Sequence, residues 1–447
     1  MKKQKGYRII EQQEAINYSK GDYVRLGDKL KGFDTLSEIP IDDLEMLQTF
    51  RTSYKEPLSQ VFEILRNSIQ KVDKKAIITY RIKRIESIIS KLKRLEKTQL
   101  PRIEDIAGCR CILKSNDQVY KLKKILNNQL YIKSDRNDYI ANPKSDGYKS
   151  LHLIVQTKDR KSNPIEIQLR CEKDHNWATL VEITDQIYDT KIKELGNEKE
   201  LGRILYLLSI GINFLEKDDL KELVDLIEQK DFIKKISGTF FKNSIKVRQQ
   251  WSQISKQQRN NFYLIQVDES NNSRISSFNN FFNAEKNYFL EYQKNPRNNI
   301  VLTHIPNAKF EQIAKAYSNY TLTFHDFIDD FSSKLQELAG SAFKENKIRE
   351  FLDYYSMFVF VFFEIAKLQL IELYAIKSTN CHHNKKLEWQ NDFSLRARKI
   401  VAKRDGLFSK IKIQKLNIKH YIMNYNMKKI WKKHSKDFIN DVSNVKE

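Results

Sequence analysis

Two runs with strand composition constrain this chain most: LHLIVQT (Leu151–Thr157) and IEIQLR (Ile165–Arg170), separated by a turn at Lys158–Pro164. The second run alternates strictly. Ile165, Ile167 and Leu169 fall on one side of a pleated strand, and Glu166, Gln168 and Arg170 fall on the other. A carboxylate, an amide and a guanidinium on one sheet face describe either a solvent-facing strand or a surface that binds something. The preceding loop favours binding. Asn142, Pro143, Lys144 and Gly147 set a tight connection that presents Tyr148, and His152 stands at the start of the first strand.

Upstream, Pro40–Ser68 carries Leu44, Leu47, Phe50, Tyr54, Leu58 and Phe62 at helical spacing. Lys75–Leu95 reads as one amphipathic helix on which Lys83, Ser87 and Lys91 share a face at four-residue intervals. That pattern fits a solvated basic face or a phosphate-binding one. Asp105–Leu113 (DIAGCRCIL) reads as a strand after a turn at Pro101, Gln118–Asn127 as a helix, Leu130–Asp135 as a short strand and Glu172–Lys193 as a helix. Residues 1–40 read as a polar lead-in with a loop at Gly21-Asp22 and a turn at Gly27–Gly32. Strands alternating with helices predict a mixed α/β sheet.

DYIANPKSDGYKSLH followed by PIEIQLR resembles the synthetase domain of the RelA/SpoT alarmone enzymes. EDIAGCRCIL (Glu104–Leu113) is similar to that family's strand with an aspartate five residues before an arginine. RIKRIESIISKLKR (Arg81–Arg94) is similar to its helix with Arg, Lys, Ser and Lys at fixed spacing. The four motifs occur in the family's order over roughly residues 45–195. The resemblance implies an α/β (α+β), nucleotidyltransferase-like mixed sheet flanked by helices; beyond it the residue pattern reads as a small α+β module and a helical, basic C-terminal region. The corresponding organisation is a lead-in at 1–40, a synthetase domain at 41–200, a helical linker plus α+β module at 201–340, and the basic region at 341–447.

What the family does supplies the expected chemistry, a transfer of the β,γ-pyrophosphate of ATP to the 3′-hydroxyl of GDP or GTP. Asp105 and Glu166 are the carboxylates expected for magnesium; by resemblance Asp105 holds the ion, and Glu166 is placed to help hold it or to act as base on the acceptor's 3′-hydroxyl. Arg81, Lys83, Lys91 and Arg110 bind the donor phosphates. Lys144, Tyr148, His152, Gln168 and Arg170 bind the acceptor, with Tyr148 stacking on its base. The sequence also departs from the family. Asp146 stands where many members have Asn, and the helix CEKDHNWATLVEITDQIYD lacks the Tyr-Lys pair of small alarmone synthetases. These departures leave a second acceptor open: the 3′ end of tRNA, pyrophosphorylated by a translation-blocking toxin of a phage-defence or toxin–antitoxin kind.

A net charge of +22 suits polyanionic partners, whether nucleotides or tRNA. The residues from Lys385 to Lys436 mix lysines and arginines with Trp389, Phe408, Tyr421, Tyr425 and Trp431, which suits nucleic acid or ordinary amphipathic helices equally. FYLIQVD, RISSF and NIVLTHI read as strands of the α+β module, with helices at Ala284–Gln293 and Ala308–Tyr317. His325-Asp326 is an isolated HD pair, and no hydrolase domain is expected. The apolar core Tyr354–Phe363 is about half a membrane span, so no transmembrane segment is expected. Cys381-His382-His383 has no spaced partner for a metal. The four cysteines form no disulfide framework and the basic N-terminus has no apolar run, which fits a cytoplasmic protein. Self-association is left open.

Overall fold

The computed structural model describes residues 18–190, 199–233, 235–236, 261–267, 273–294, 299–305, 324–345 and 349–358, with a few isolated positions besides. The chain divides into two compact units, one of residues 1–175 and 253–317, the other of residues 176–252 and 318–447. The strands are β1 (Ile77–Ile82), β2 (Ala107–Leu113), β3 (Tyr131–Asp138), β4 (Leu151–Gln156), β5 (Ile165–Cys171), β6 (Phe262–Val267), β7 (Ser273–Phe278) and β8 (Asn299–His304). The helices of the N-terminal part are α1 (Lys20–Lys31), α2 (Ile41–Thr52), α3 (Lys55–Ile69), α4 (Ile85–Arg94), α5 (Asn116–Gln129) and α6 (Glu172–Tyr188). Further on come α7 (Lys199–Ile210), α8 (Lys217–Gln229), α9 (Phe281–Lys294) and α10 (Phe324–Lys344).

In the first unit all eight strands form one sheet, in the order β3-β4-β5-β2-β1-β8-β6-β7. β2 and β5 run parallel, and the other neighbours are antiparallel. The class is α+β with a mixed sheet. One face carries Tyr80, Cys109, Cys111, Ile165, Ile167 and Leu169, all buried, against Leu58, Val61, Phe62 and Leu65 of α3 and Leu122 and Leu126 of α5. The thiols of Cys109 and Cys111 are free and serve as small apolar groups in that core. The opposite face carries the alternating polar residues.

The expected helix Lys75–Leu95 is a strand followed by a shorter helix. IITYRI is rich in β-branched and aromatic side chains, which suit a pleated surface and lose freedom in a helix, and β1 hydrogen-bonds β2 from Ile77 to Ile82. The lead-in also holds a helix. Ser19 and Asp22 form a reciprocal capping box that starts α1. Gly27 lies inside α1 because a Cβ there would come within 2.9 Å of Leu100 Cβ, so close packing, not a turn, calls for glycine. The strands FYLIQV, RISSF and NIVLTH form as expected. The sequence places them in a separate 201–340 module, yet β8 pairs with β1 and extends the same sheet.

The second unit is helical where it is described. Trp177 Nε1 donates to Leu205 O at 2.7 Å, and Lys217 pairs with Glu350. His325-Asp326 lies on α10. The helix expected at Ala308–Tyr317, Cys381-His382-His383 and the basic tail lie outside the described residues or are described only at isolated positions. No described helix is long and apolar enough to cross a membrane.

Candidate active site

Two of the residues expected to bind donor phosphates, Lys83 and Lys91, gather on one carboxylate. α4 begins only at Ile85, so Lys83 sits in the turn between β1 and α4 and not on the helix, its N–H donating to Ile106 O at 2.7 Å. Lys91 comes from α4 itself. Their ammonium groups meet on Asp105, Lys83 Nζ at 2.9 Å from Oδ2 and Lys91 Nζ at 2.8 Å from Oδ1. Asp105 is not on a strand as expected. The chain is still turning out of the bend around Pro101, and β2 starts at Ala107. Burial alone would raise the Asp105 carboxyl, but Lys83 and Lys91 outweigh it and hold it at about 2. Burial pulls the Lys83 ammonium below its ordinary value, with Asp105 opposing.

A stability prediction follows from that sign. A carboxyl lowered from 3.8 to about 2 on folding adds stability that is fully present above pH 3.8 and lost as pH falls toward 2. The contribution is about 2 kcal/mol. Denaturant unfolding followed from pH 5 to pH 2 is expected to lose it, and Asp105→Asn to flatten that part of the profile.

The second group is a closed ring of hydrogen bonds. Glu166 Oε1 meets His152 Nδ1 at 2.8 Å, and His152 Nε2 meets Tyr148 Oη at 2.7 Å. Arg170 Nη2 donates to Tyr148 Oη at 2.5 Å and to Gln168 Oε1 at 3.3 Å. Gln168 Nε2 donates to Glu166 Oε2 at 2.7 Å and completes the circuit. The strand register makes it possible, since β4 pairs His152 with Gln168 and puts β5's polar face beside His152. Arg170 is 3% exposed, which removes the solvent-facing alternative for this strand. Burial would raise the Tyr148 phenol, but Arg170 and His152 outweigh it and bring it down to about 7. Burial would lower His152, yet the Glu166 carboxylate and Tyr148 hold it above its ordinary value. Glu166 stays below its own ordinary value because His152 outweighs both burial and the nearby negative charge of Asp105.

The loop that presents Tyr148 is built locally. Gly147 has φ 93°, a conformation glycine adopts without strain, and Gly147 N–H donates to Lys144 O. Asp146 Oδ1 accepts the Tyr148 N–H at 2.9 Å, so the carboxylate found in place of the family's Asn serves the turn, a role the Asn oxygen could equally fill. Lys144 Nζ lies 5.1 Å from the centre of the Tyr148 ring and 4.6 Å from that of Tyr139. Tyr139, not singled out from the sequence, sets its ring edge-on to both Tyr148 and His152. Its signal was its place in the same DYIAN stretch.

The two groups are joined through β2. Gly108 is in register with Glu166 and Arg110 with Gln168, while Arg81 on β1 faces Gly108, so Arg81 and Arg110 share the polar face. A Cβ on Gly108 would come within 2.8 Å of Glu166 O. Gly108→Ala is therefore expected to push β5 away and to destabilise the fold by about 1–3 kcal/mol, with most activity lost. Thermal unfolding and turnover of the variant check this.

Among the described residues no three His, Cys, Asp or Glu side chains gather as a metal cage. Magnesium does not need one, because it is commonly held by one or two carboxylates with phosphates and water. The ionised Asp105 fits that chemistry, its two oxygens each already set against a positive charge.

The family described as "Region found in RelA / SpoT proteins" matches residues 80–193. The GTP pyrophosphokinase YwaC of Bacillus subtilis is 33% identical over 151 residues, 31% of this chain and 72% of that protein. The chain belongs to the RelA/SpoT family. Another B. subtilis member, the GTP pyrophosphokinase YjbM, is 32% identical over 26% of this chain and 59% of its own. The crystal structure of small alarmone synthetase 1 from B. subtilis aligns with 43% of this chain and 99% of its own at 23% identity, with a TM-score of 0.31.

Proposed function

We propose that this chain is a pyrophosphokinase that moves the β,γ-pyrophosphate of ATP to the 3′-hydroxyl of GDP or GTP, making (p)ppGpp. The observation that carries the reading is an ionised carboxylate just before β2, clasped by two lysines, in a chain whose β4–β5 polar face holds a closed Glu–His–Tyr–Arg–Gln ring within reach of that charge. The chain shares 33% identity over 151 residues with a GTP pyrophosphokinase.

Attack by the acceptor oxygen on the β-phosphorus breaks the bond to the α-phosphate oxygen and releases AMP. Lys83 and Lys91, with Arg81 and Arg110 on the same face, neutralise the donor phosphates and so leave Asp105 for the cation that accompanies ATP. Asp105 would hold magnesium, which when bound would neutralise charge on the phosphates. Glu166 is the base for the 3′-hydroxyl proton, oriented by His152 and Gln168. Tyr148, on its Gly147 turn, offers a ring for the acceptor base, and Lys144 and Arg170 its cations.

The test is an acceptor competition. The protein is incubated with magnesium and ATP labelled on its γ-phosphate, with GDP, GTP, ATP or bulk tRNA offered separately. Label on a guanine nucleotide is the expected result. Label on tRNA would replace this reading with that of a translation-blocking toxin, and label on ATP would move the specificity to adenine nucleotides. No transfer to any acceptor would count against the activity itself.

A further inference from the structure

We propose that β8 and α9, in the part of the chain after residue 262, act with Arg51 as a positioning element for Lys83. The proposal rests on the reading of Lys83 as a donor-phosphate cation. From the sequence this segment carried nothing that looked catalytic. In the fold, β8 pairs with β1 through Ile78, Thr79 and Tyr80. Two residues further along β1, the Ile82 N–H points to the same side and needs an acceptor. Tyr288 of α9, wholly buried, supplies it, and Ile82 N–H donates to Tyr288 Oη at 2.9 Å.

The next residue is Lys83, and its carbonyl is fixed from the same quarter. Arg51 Nε donates to Lys83 O at 3.1 Å, while Arg51 Nη1 donates to Gln48 Oε1 at 2.7 Å. Arg51 is 1% exposed, and its guanidinium lies 4.3 Å from the centre of the Tyr292 ring, one turn along α9 from Tyr288. A cation this buried is costly unless it is hydrogen-bonded and set against an aromatic face, and α9 provides that face. Thus α9 satisfies the amide before Lys83 and supports the arginine that holds the carbonyl of Lys83. The Lys83 N–H, bonded to Ile106 O, completes the clamp. The ammonium leaves this fixed backbone for Asp105. Tyr288 and Arg51 are buried and bond the backbone on either side of the Lys83 nitrogen, so they act through Lys83.

The experiment compares Tyr288→Phe and Arg51→Lys with Phe282→Ala, a control 72% exposed on the same helix. Tyr288→Phe is expected to raise KM for ATP about tenfold, with KM for the acceptor within about twofold. The same change made in a Lys83→Ala background is expected to add little further. Hydrogen exchange in the peptide covering 78–90 is expected to quicken in Tyr288→Phe and Arg51→Lys, and not in Phe282→Ala. Equal shifts in both KM values, or a full effect of Tyr288→Phe without Lys83, would overturn the proposal. Should the wild-type chain transfer nothing, the functional reading fails on its own. The exchange measurement still decides this point: unchanged protection at 78–90 overturns the positioning role.

Discussion

Asp105→Ala is expected to lower pyrophosphoryl transfer by ~10³-fold or more while leaving the chain folded at neutral pH. The carboxylate lies at the meeting of Lys83 and Lys91, 2.9 and 2.8 Å away, and on the proposed function it holds the cation beside the donor phosphates. Its removal leaves two ammonium groups without the charge that drew them together. Donor phosphates could still attract both lysines, so ATP binding should weaken much less than turnover falls. Single-turnover rates at saturating ATP separate the two quantities, because they report the transfer step once binding is complete. A rate within tenfold of wild type would sink the assignment of Asp105. A large rise in KM with an unchanged rate would recast it as a residue that only shapes the lysine pair.

The polar face of β5 was legible because period two is a strong signal, and the burial of Ile165, Ile167 and Leu169 follows it residue by residue. The loop Lys144–Tyr148 was legible because glycine and Asx turns have local causes. Lys83 and Lys91 do come together, but not for the reason their spacing suggests. Four-residue spacing placed Lys83 and Lys91 on one helix, whereas Lys83 reaches Asp105 from a strand end. IITYRI followed by IESIISKLKR has apolar residues at intervals that suit a helix throughout, and only the β-branched content of its first half marks the change. The β1–β8 pairing and the Arg51–Tyr292 contact were not legible, since they join residues more than 200 positions apart with no local pattern. The hydrogen-bond ring was half legible: its members could be named from the sequence, but not their order. That order depends on His152 reaching diagonally to Glu166 although its strand partner is Gln168.

The order of the ring sets the outcome of the last prediction. Glu166→Gln is expected to lower transfer by ~10²–10³-fold and also to alter His152. The carboxylate accepts from Gln168 Nε2 through one oxygen and faces His152 Nδ1 with the other. A glutamine offers one oxygen and one NH2 group, so it must set a donor against one of these two neighbours. It also removes the negative charge that keeps His152 above its ordinary value despite burial. With the charge gone, Tyr148 alone is left to oppose burial and the His152 pKa should fall. NMR titration of the histidine ring signals reads this directly, with the His152 resonance assigned by its loss in His152→Asn. A pKa that falls together with the rate supports a glutamate that is base and orienter at once. A pKa that falls while the rate stays within tenfold would leave Glu166 an orienting role and pass the acceptor proton to another member of the ring.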